Sequence, residues 1–322
     1  ESGEIEIKVS NELEEIQYLD KITLLETSHT KRYLGLSTEG QLISYNEGVT
    51  PSRAGIPSAL SALSSRDELN YSFDSPGTED KLNSIELTFD KGNLGHSAQL
   101  VIRGKQSKLL EQTAEHFFHQ FGTKFPNWVD KMNDVNKEKY NQNAINQGIS
   151  MNAYMKINNK WNYIGSFENV GTVAYRDICL PISLKGLGKE IVIKLESAYG
   201  FWNIDQVSIT SDWTVDLETE VVAMVSAENE NGEDVMARIS NADENYVTQE
   251  NKGTFTVLKF RPQNDENKSY ILLGDGYYNH SRKYDSDINR RALSSMKRMK
   301  YSSHYMSRLI DLQNKIVAAK SQ

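Results

Sequence analysis

Residues 189–213, KEIVIKLESAYGFWNIDQVSITSDW, carry the clearest hydrophobic alternation in the chain. Ile191, Ile193 and Leu195 alternate with Val192, Lys194 and Glu196, and Ile204, Val207 and Ile209 supply the apolar positions of a second arm. A period of two predicts half-buried strands, and the short Tyr199-Gly200-Phe201-Trp202 link predicts a hairpin around which the rest of the fold is arranged. The same period recurs upstream. Ile5, Ile7 and Val9 share one strand face, and strands are expected over 18–27, 33–36 and 42–45. Residues 84–89 and 98–103 read as a strand pair around Lys91-Gly92-Asn93. Downstream, 151–157 and 161–167 form a hairpin over Asn158-Asn159, and 173–184 is a long arm. Residues 221–227, 235–239, 255–260 and 270–273 complete the strand set.

The period switches to three and four in three places. Leu110, Ala114, Phe117, Phe118 and Phe121 mark an amphipathic helix over 107–121 closed by Gly122, and a second helix spans 127–146 after Pro126. Residues 286–319 form the longest helical pattern, with Tyr305, Leu309, Leu312 and Ile316 as a short seam. Residues 46–80 hold three of the six prolines and read as a long surface excursion with one helical turn near 58–63. Regular strands with one helical interruption predict a mainly β fold: an antiparallel β-sandwich or jelly roll with inserted helices and a long C-terminal helix. The expected organisation is a β-rich region with a long loop (1–104), a helical insertion (105–148), a jelly roll sharing its sheet with the N-terminal region (149–280), and a basic helix (281–322).

Composition narrows the functions. With 322 residues, 38% of them hydrophobic, and no apolar run of membrane-spanning length, no transmembrane segment is expected. A net charge of -8 disfavours nucleic acid as partner, although residues 282–320 carry ten Lys or Arg against three Asp. The single cysteine, Cys179, excludes an intramolecular disulfide and a thiolate metal cage, and reads as a small buried hydrophobe. The chain opens at Glu1 without a charged and apolar leader, so it is expected to be processed or excised from something longer.

Several segments occur in a familiar combination over about residues 18–280: the helix at 112–121, FGTKFPNW (121–128), NVGTVAYRD (169–177), FWNIDQVSI (201–209) and GDGYY (274–278). This pattern resembles a group of uncharacterised secreted or surface-attached bacterial proteins whose sheet core is like the galactose-binding, discoidin-like jelly rolls. The resemblance implies a non-catalytic module of an envelope or cell-surface protein. It transfers no binding residue, and the basic C-terminal helix lies outside it.

Candidate chemistry is sparse. His116 and His119 stand three apart on a helix, whereas a zinc protease motif wants His-Glu-x-x-His, so a structural pair is expected. Asp285-Ser286-Asp287-Ile288-Asn289 has the first oxygens of a calcium loop, but Arg290 and Met296 occupy its glycine and glutamate positions, which favours a helix cap. Acidic loops at 74–80 and 243–245 leave structural calcium open. No cofactor or metal is predicted. No Gly-x-Ser-x-Gly, phosphate loop or dinucleotide fingerprint is present, so no enzyme is expected.

Trp161 and Trp202 are candidate platforms for a sugar ring, with Asp205 and Arg176 as hydrogen-bonding groups; core filling is the plainer reading of Trp202. Arg290, Arg291, Lys297 and Arg298, with the seam at Tyr305, Leu309 and Leu312, are the candidate partner surface. The resulting expectation is a non-catalytic structural or interaction subunit of a bacterial envelope or surface assembly, located in the periplasm, at the outer membrane surface or outside the cell. Its partners would be other envelope proteins. The alternative is a carbohydrate-binding module.

Overall fold

The structure is a computed structural model that describes residues 3–74, 81–168, 170–215, 217–263, 268–299 and 301. In chain order the first strands are β1 (Ile5–Ser10), β2 (Glu15–Ser28), β3 (Tyr33–Ser37), β4 (Leu42–Tyr45) and β5 (Arg53–Ala54). After helix α1 (Ala59–Ser64) come β6 (Tyr71–Ser72), β7 (Asn83–Asp90) and β8 (Ser97–Gln106). Helices α2 (Lys108–His119), α3 (Phe125–Asn133) and α4 (Lys137–Asn146) follow. Strands then resume with β9 (Met151–Ile157), β10 (Lys160–Phe167), β11 (Arg176–Ser183), β12 (Glu190–Ser197), β13 (Trp202–Thr210), β14 (Trp213–Thr214) and β15 (Thr219–Asn229). The last elements are α5 (Met236–Ile239), β16 (Val247–Gln249), β17 (Phe255–Arg261), β18 (Lys268–His280) and α6 (Arg290–Arg298).

The chain divides into two compact units, Glu1–Thr30 with Asp216–Lys283, and Lys31–Val215 with Tyr284–Gln322. The larger unit is a β-sandwich. One sheet runs β10-β9-β12-β7-β5, the other β14-β4-β3-β11-β8-β13-β6, and every pairing is antiparallel except the short contact of β11 with β3. Leu87, Phe89, Ala153, Met155, Ile191, Ile193 and Leu195 from the first sheet meet Leu100, Ile102, Ile178, Leu180, Val207 and Ile209 from the second in one buried cluster. Each such side chain removed from water contributes about 1.5–3 kcal/mol, which is why alternation alone specifies the two inner faces.

The arm at 189–213 differs from the expected hairpin. β12 pairs with β7 and β9 in one sheet, and β13 pairs with β8 and β6 in the other. The link is an arch through the core, because Ala198 and Phe201 are buried between the sheets and cannot serve as a solvent turn. Gly200 makes the bend with φ +62°, and a Cβ there would stand 2.7 Å from Leu109 Cδ2. β7 and β8 are likewise split between sheets and not a pair. By contrast, the β9–β10 hairpin forms as expected, with positive φ at both Asn158 and Asn159, as a type I′ turn requires.

The 46–74 excursion is also more than a surface loop. Val49 bridges Ile209, β5 adds to β7, and β6 adds to β13, so the segment crosses from one sheet to the other and back. Ala59, Leu63 and Phe73 carry it into the core cluster. After β8, Ser107 caps α2 through the Leu109 N–H, and Phe117, Phe118, Phe121, Phe125 and Trp128 pack ring against ring between α2 and α3.

The smaller unit is a sheet in the order β1-β17-β15-β2, with β16 and β18 both pairing β2. Ile22, Leu24, Val222, Leu258 and Phe260 form its core, closed by Val235 and Ile239. Residues 235–239, expected as a strand, end in the helical turn α5: Asp234 Oδ1 accepts the Met236 N–H, and the four-residue spacing puts Val235 and Ile239 on one side. The strands expected within a single 149–280 jelly roll are therefore divided, β9–β14 in one unit and β15–β18 in the other.

The continuous helix expected over 286–319 is not what the described residues form. α6 begins at Arg290, capped by the Asn289 side chain on the Ala292 N–H, and Met299 is extended at ψ 136°. The seam at Tyr305, Leu309 and Leu312 lies outside the described residues. Among the described residues, no helix is long and apolar enough to cross a membrane.

Candidate functional site

Two faces of the sandwich point away from the core, and both carry charge. On the seven-stranded sheet, Arg103 of β8, Asp177 of β11 and Asp205 and Gln206 of β13 turn outward, beside Tyr33 and Tyr45 of β3 and β4. The register of β13 skips between Ile204 and Gln206 opposite β8, and this bulge sets Asp205 among the outward groups. Arg103 Nε donates to Asp205 Oδ2 at 2.8 Å, and the Glu68 N–H donates to Asp205 Oδ1 at 2.6 Å. Arg66, from the excursion, donates to Asp177 Oδ2 (2.9 Å), the Tyr45 hydroxyl (2.5 Å) and Gln206 Oε1 (3.0 Å), with its guanidinium 3.8 Å from the Tyr33 ring centre.

Its two carboxylates lie out of solvent, while Arg66 and Arg103 stay partly exposed. Asp205 is fully buried, and Asp177 is nearly so. Burial pushes the Tyr45 hydroxyl up, and the Asp177 charge adds to the rise; burial and Asp177 likewise push the Cys179 thiol up to about 12. Burial works against the Arg66 guanidinium, but Asp177 and Tyr45 outweigh it and raise its pKa. Arg66 and the Glu68 amide fasten 64–72 to the sheet through Asp177, Gln206 and Asp205, so the arrangement works as a structural clamp, while Asp177 Oδ1 has only the Arg103 guanidinium near it, at 3.8 Å.

The five-stranded sheet presents the opposite case. Trp161 and Tyr163 of β10, Asn152, Tyr154 and Lys156 of β9, and Lys194 and Glu196 of β12 share its outer face, with Tyr163 opposite Tyr154, and Tyr154 opposite Lys194. Lys194 bonds Glu196 and holds its ammonium 4.4 Å from the Tyr154 ring centre and 5.3 Å from that of Trp161. Lys156 stands 5.4 Å from the Trp161 ring, and the Tyr154 and Tyr163 rings meet edge to face at 5.6 Å. Tyr163 is 52% exposed and Trp161 half-buried. The Tyr154 hydroxyl is pushed up to about 12, first by burial, then by the charge and hydrogen bond of Glu196. Cations stand over these rings and the Glu196 carboxylate lies beside them, whereas Asn152 is buried and its amide donates to the Ile145 carbonyl.

The residues expected at the site are dispersed. Trp161 belongs to the open face. Trp202 is fully buried, with its Nε1 donating to the Ile149 carbonyl, so it is core and not a platform. Asp205 is held in the clamp and faces no ligand, which corrects its assignment as a hydrogen-bonding group. Arg176 is exposed at the start of β11, in the other sheet from Trp161. Arg290, Arg291, Lys297 and Arg298 are exposed on α6, while Met296 is buried beneath it. His116 lies by Gln120, and His119 packs on the Tyr284 ring; among the described residues no group of three ligands gathers for a metal. Tyr154, Tyr163 and Lys194 do not stand out in the sequence, although the alternation that buries Met155 and Ile193 also fixes Tyr154 and Lys194 outward. No family model matches the chain, and no curated relative matches it.

Proposed function

We propose that the protein is a non-catalytic binding protein of the extracytoplasmic compartment whose sandwich unit takes a polysaccharide on the outer face of its five-stranded sheet. The observation that carries this reading is the exposed Tyr163 ring beside Trp161 and Tyr154, braced by Lys194 and Lys156 and edged by Glu196. A pyranose lays its C–H face on an aromatic ring and turns its hydroxyls to the polar rim, and this face offers both.

A second reading, an interaction subunit of an envelope assembly, is favoured by the exposed Arg290, Arg291, Lys297 and Arg298 on α6, which suit an acidic partner protein. A glycan array probed with the wild type and with Trp161→Ala/Tyr163→Ala separates the two. Saturable binding that the double substitution abolishes supports the polysaccharide reading; binding to no glycan rejects it.

A further inference from the structure

We propose that β18 is a pairing edge through which two copies of this chain associate, antiparallel and about a two-fold axis at Gly274. β18 is thirteen residues long, and β2 pairs along one side of it from Lys268 to His280. Among the described residues, no strand pairs with its other side. An unfilled strand edge is a row of backbone donors and acceptors, so the chemistry that satisfies it is another extended backbone.

Two of the usual protections are missing from the edge. Its sequence, KSYILLGDGYYNH, contains no proline, and its one lysine stands at the very start. The extra residue where the register breaks is Asp20, which belongs to β2, so β18 itself runs without interruption. Gly276 allows the close approach at that break, where a Cβ would stand 2.1 Å from the Tyr18 carbonyl oxygen. All residues from Leu272 to His280 are exposed, including Leu273 at 48%, Tyr277 at 48% and Tyr278 at 56%. The opposite edge strand, β1, is six residues long, and its Glu6 side chain is paired with Lys259 of β17.

The occupant is a second copy because the strand is complementary to itself. Reversed about Gly274, Leu273 faces the other copy's Asp275, Leu272 faces Gly276, Ile271 faces Tyr277 and Tyr270 faces Tyr278. Each pair keeps both side chains on one face of a joined sheet. Aromatic–aliphatic and aromatic–aromatic cross-strand pairs are favourable, and no like charges oppose one another near the axis. Lys268 would face His280, whose pKa burial and Arg282 lower.

Sedimentation equilibrium of the full chain tests the proposal. The wild type is expected to show a concentration-dependent mass twice that of one chain. Leu273→Asp, an exposed position, sets a carboxylate against the partner copy's Asp275 at two places and is expected to give monomer with an unchanged circular dichroism spectrum. Leu273→Asp combined with Asp275→Lys restores opposite charges across the axis and is expected to restore the dimer. A wild type that stays monomeric overturns the proposal; if it nonetheless captures a synthetic peptide of the β18 sequence, the edge serves a different protein. A dimer indifferent to Leu273→Asp, or unrestored by the double substitution, overturns the two-fold register.

Discussion

The two outer faces of the sandwich unit are built from the same materials and end in opposite states. On the seven-stranded sheet, Arg66, Arg103, Asp177, Asp205 and Tyr45 bond to one another and tie the excursion down. On the five-stranded sheet, Lys194, Lys156, Glu196, Tyr154 and Trp161 brace one another while leaving rings in contact with solvent. The difference lies in what covers them. A long segment crosses the first face and takes up its hydrogen bonds, so charge there becomes anchoring; where rings stay exposed, the same residue types remain available to a ligand.

That contrast is broken most severely at Asp205. Asp205→Ala takes the buried acceptor from the Arg103 guanidinium and the Glu68 amide; because Arg103 keeps a quarter of its side chain in solvent, the loss should approach but not exceed that of breaking a fully buried ion pair, about 3–5 kcal/mol. Urea denaturation should show that loss. A variant as stable as the wild type would mean that the clamp does not hold the fold. Tyr45→Phe removes one hydroxyl between Asp177 and Arg66 and should cost about 1–3 kcal/mol, with faster proteolysis in the 55–70 segment as its local signature.

Alkaline titration compares the two faces more gently. Cys179 on the clamped side and Tyr154 on the open side are each raised to about 12 in the folded chain, from ordinary values of 9.0 and 10.0. Tyr71, within the excursion, is also raised to about 12 by burial and then by Asp74, and Tyr45 is raised as well. The folded chain holds these protons more tightly than the unfolded one. The stability they contribute is complete below the unfolded values and is lost as pH climbs from about 9–10 toward 12. Absorbance at 295 nm should show these tyrosines ionising late or together with unfolding, and denaturant midpoints should fall over the same range. A midpoint that is level to pH 11 would contradict this ordering.

The smallest effect on stability is expected where the proposed function is most concentrated. Trp161→Ala/Tyr163→Ala trims half-exposed rings and should shift the unfolding free energy by about 1 kcal/mol or less, as surface substitutions commonly do. A loss as large as that of Asp205→Ala would mark these rings as structural.

Alternation made the sheets readable from sequence, because burial on one face imposes a period of two whichever strand lies alongside. It does not say which strand that is. Residues 190–197 and 202–210 look like a hairpin, and only the burial of Ala198 and Phe201 reveals the arch. The same limit explains the site. Trp161 stands out as an aromatic after a turn, and the Asn158-Asn159 hairpin sets Tyr154 on the neighbouring strand; Lys194 comes from a strand 33 residues away whose register sequence alone does not set. Asp205 stood out for the right reason, a carboxylate beside a bulky aromatic. Its partners, Arg103 and the Glu68 amide, are more than a hundred residues distant, and they give it a structural task. The cap at Asn289 was legible because capping is local.

The most direct test of the open face is affinity electrophoresis through gels containing soluble polysaccharides, run with the wild type, with Trp161→Ala/Tyr163→Ala, and with Lys105→Ala on the clamped sheet. The account predicts that at least one polysaccharide retards the wild type and Lys105→Ala equally and leaves the double variant unretarded. No retardation of the wild type in any gel, or retardation lost in Lys105→Ala and kept in the double variant, would contradict it.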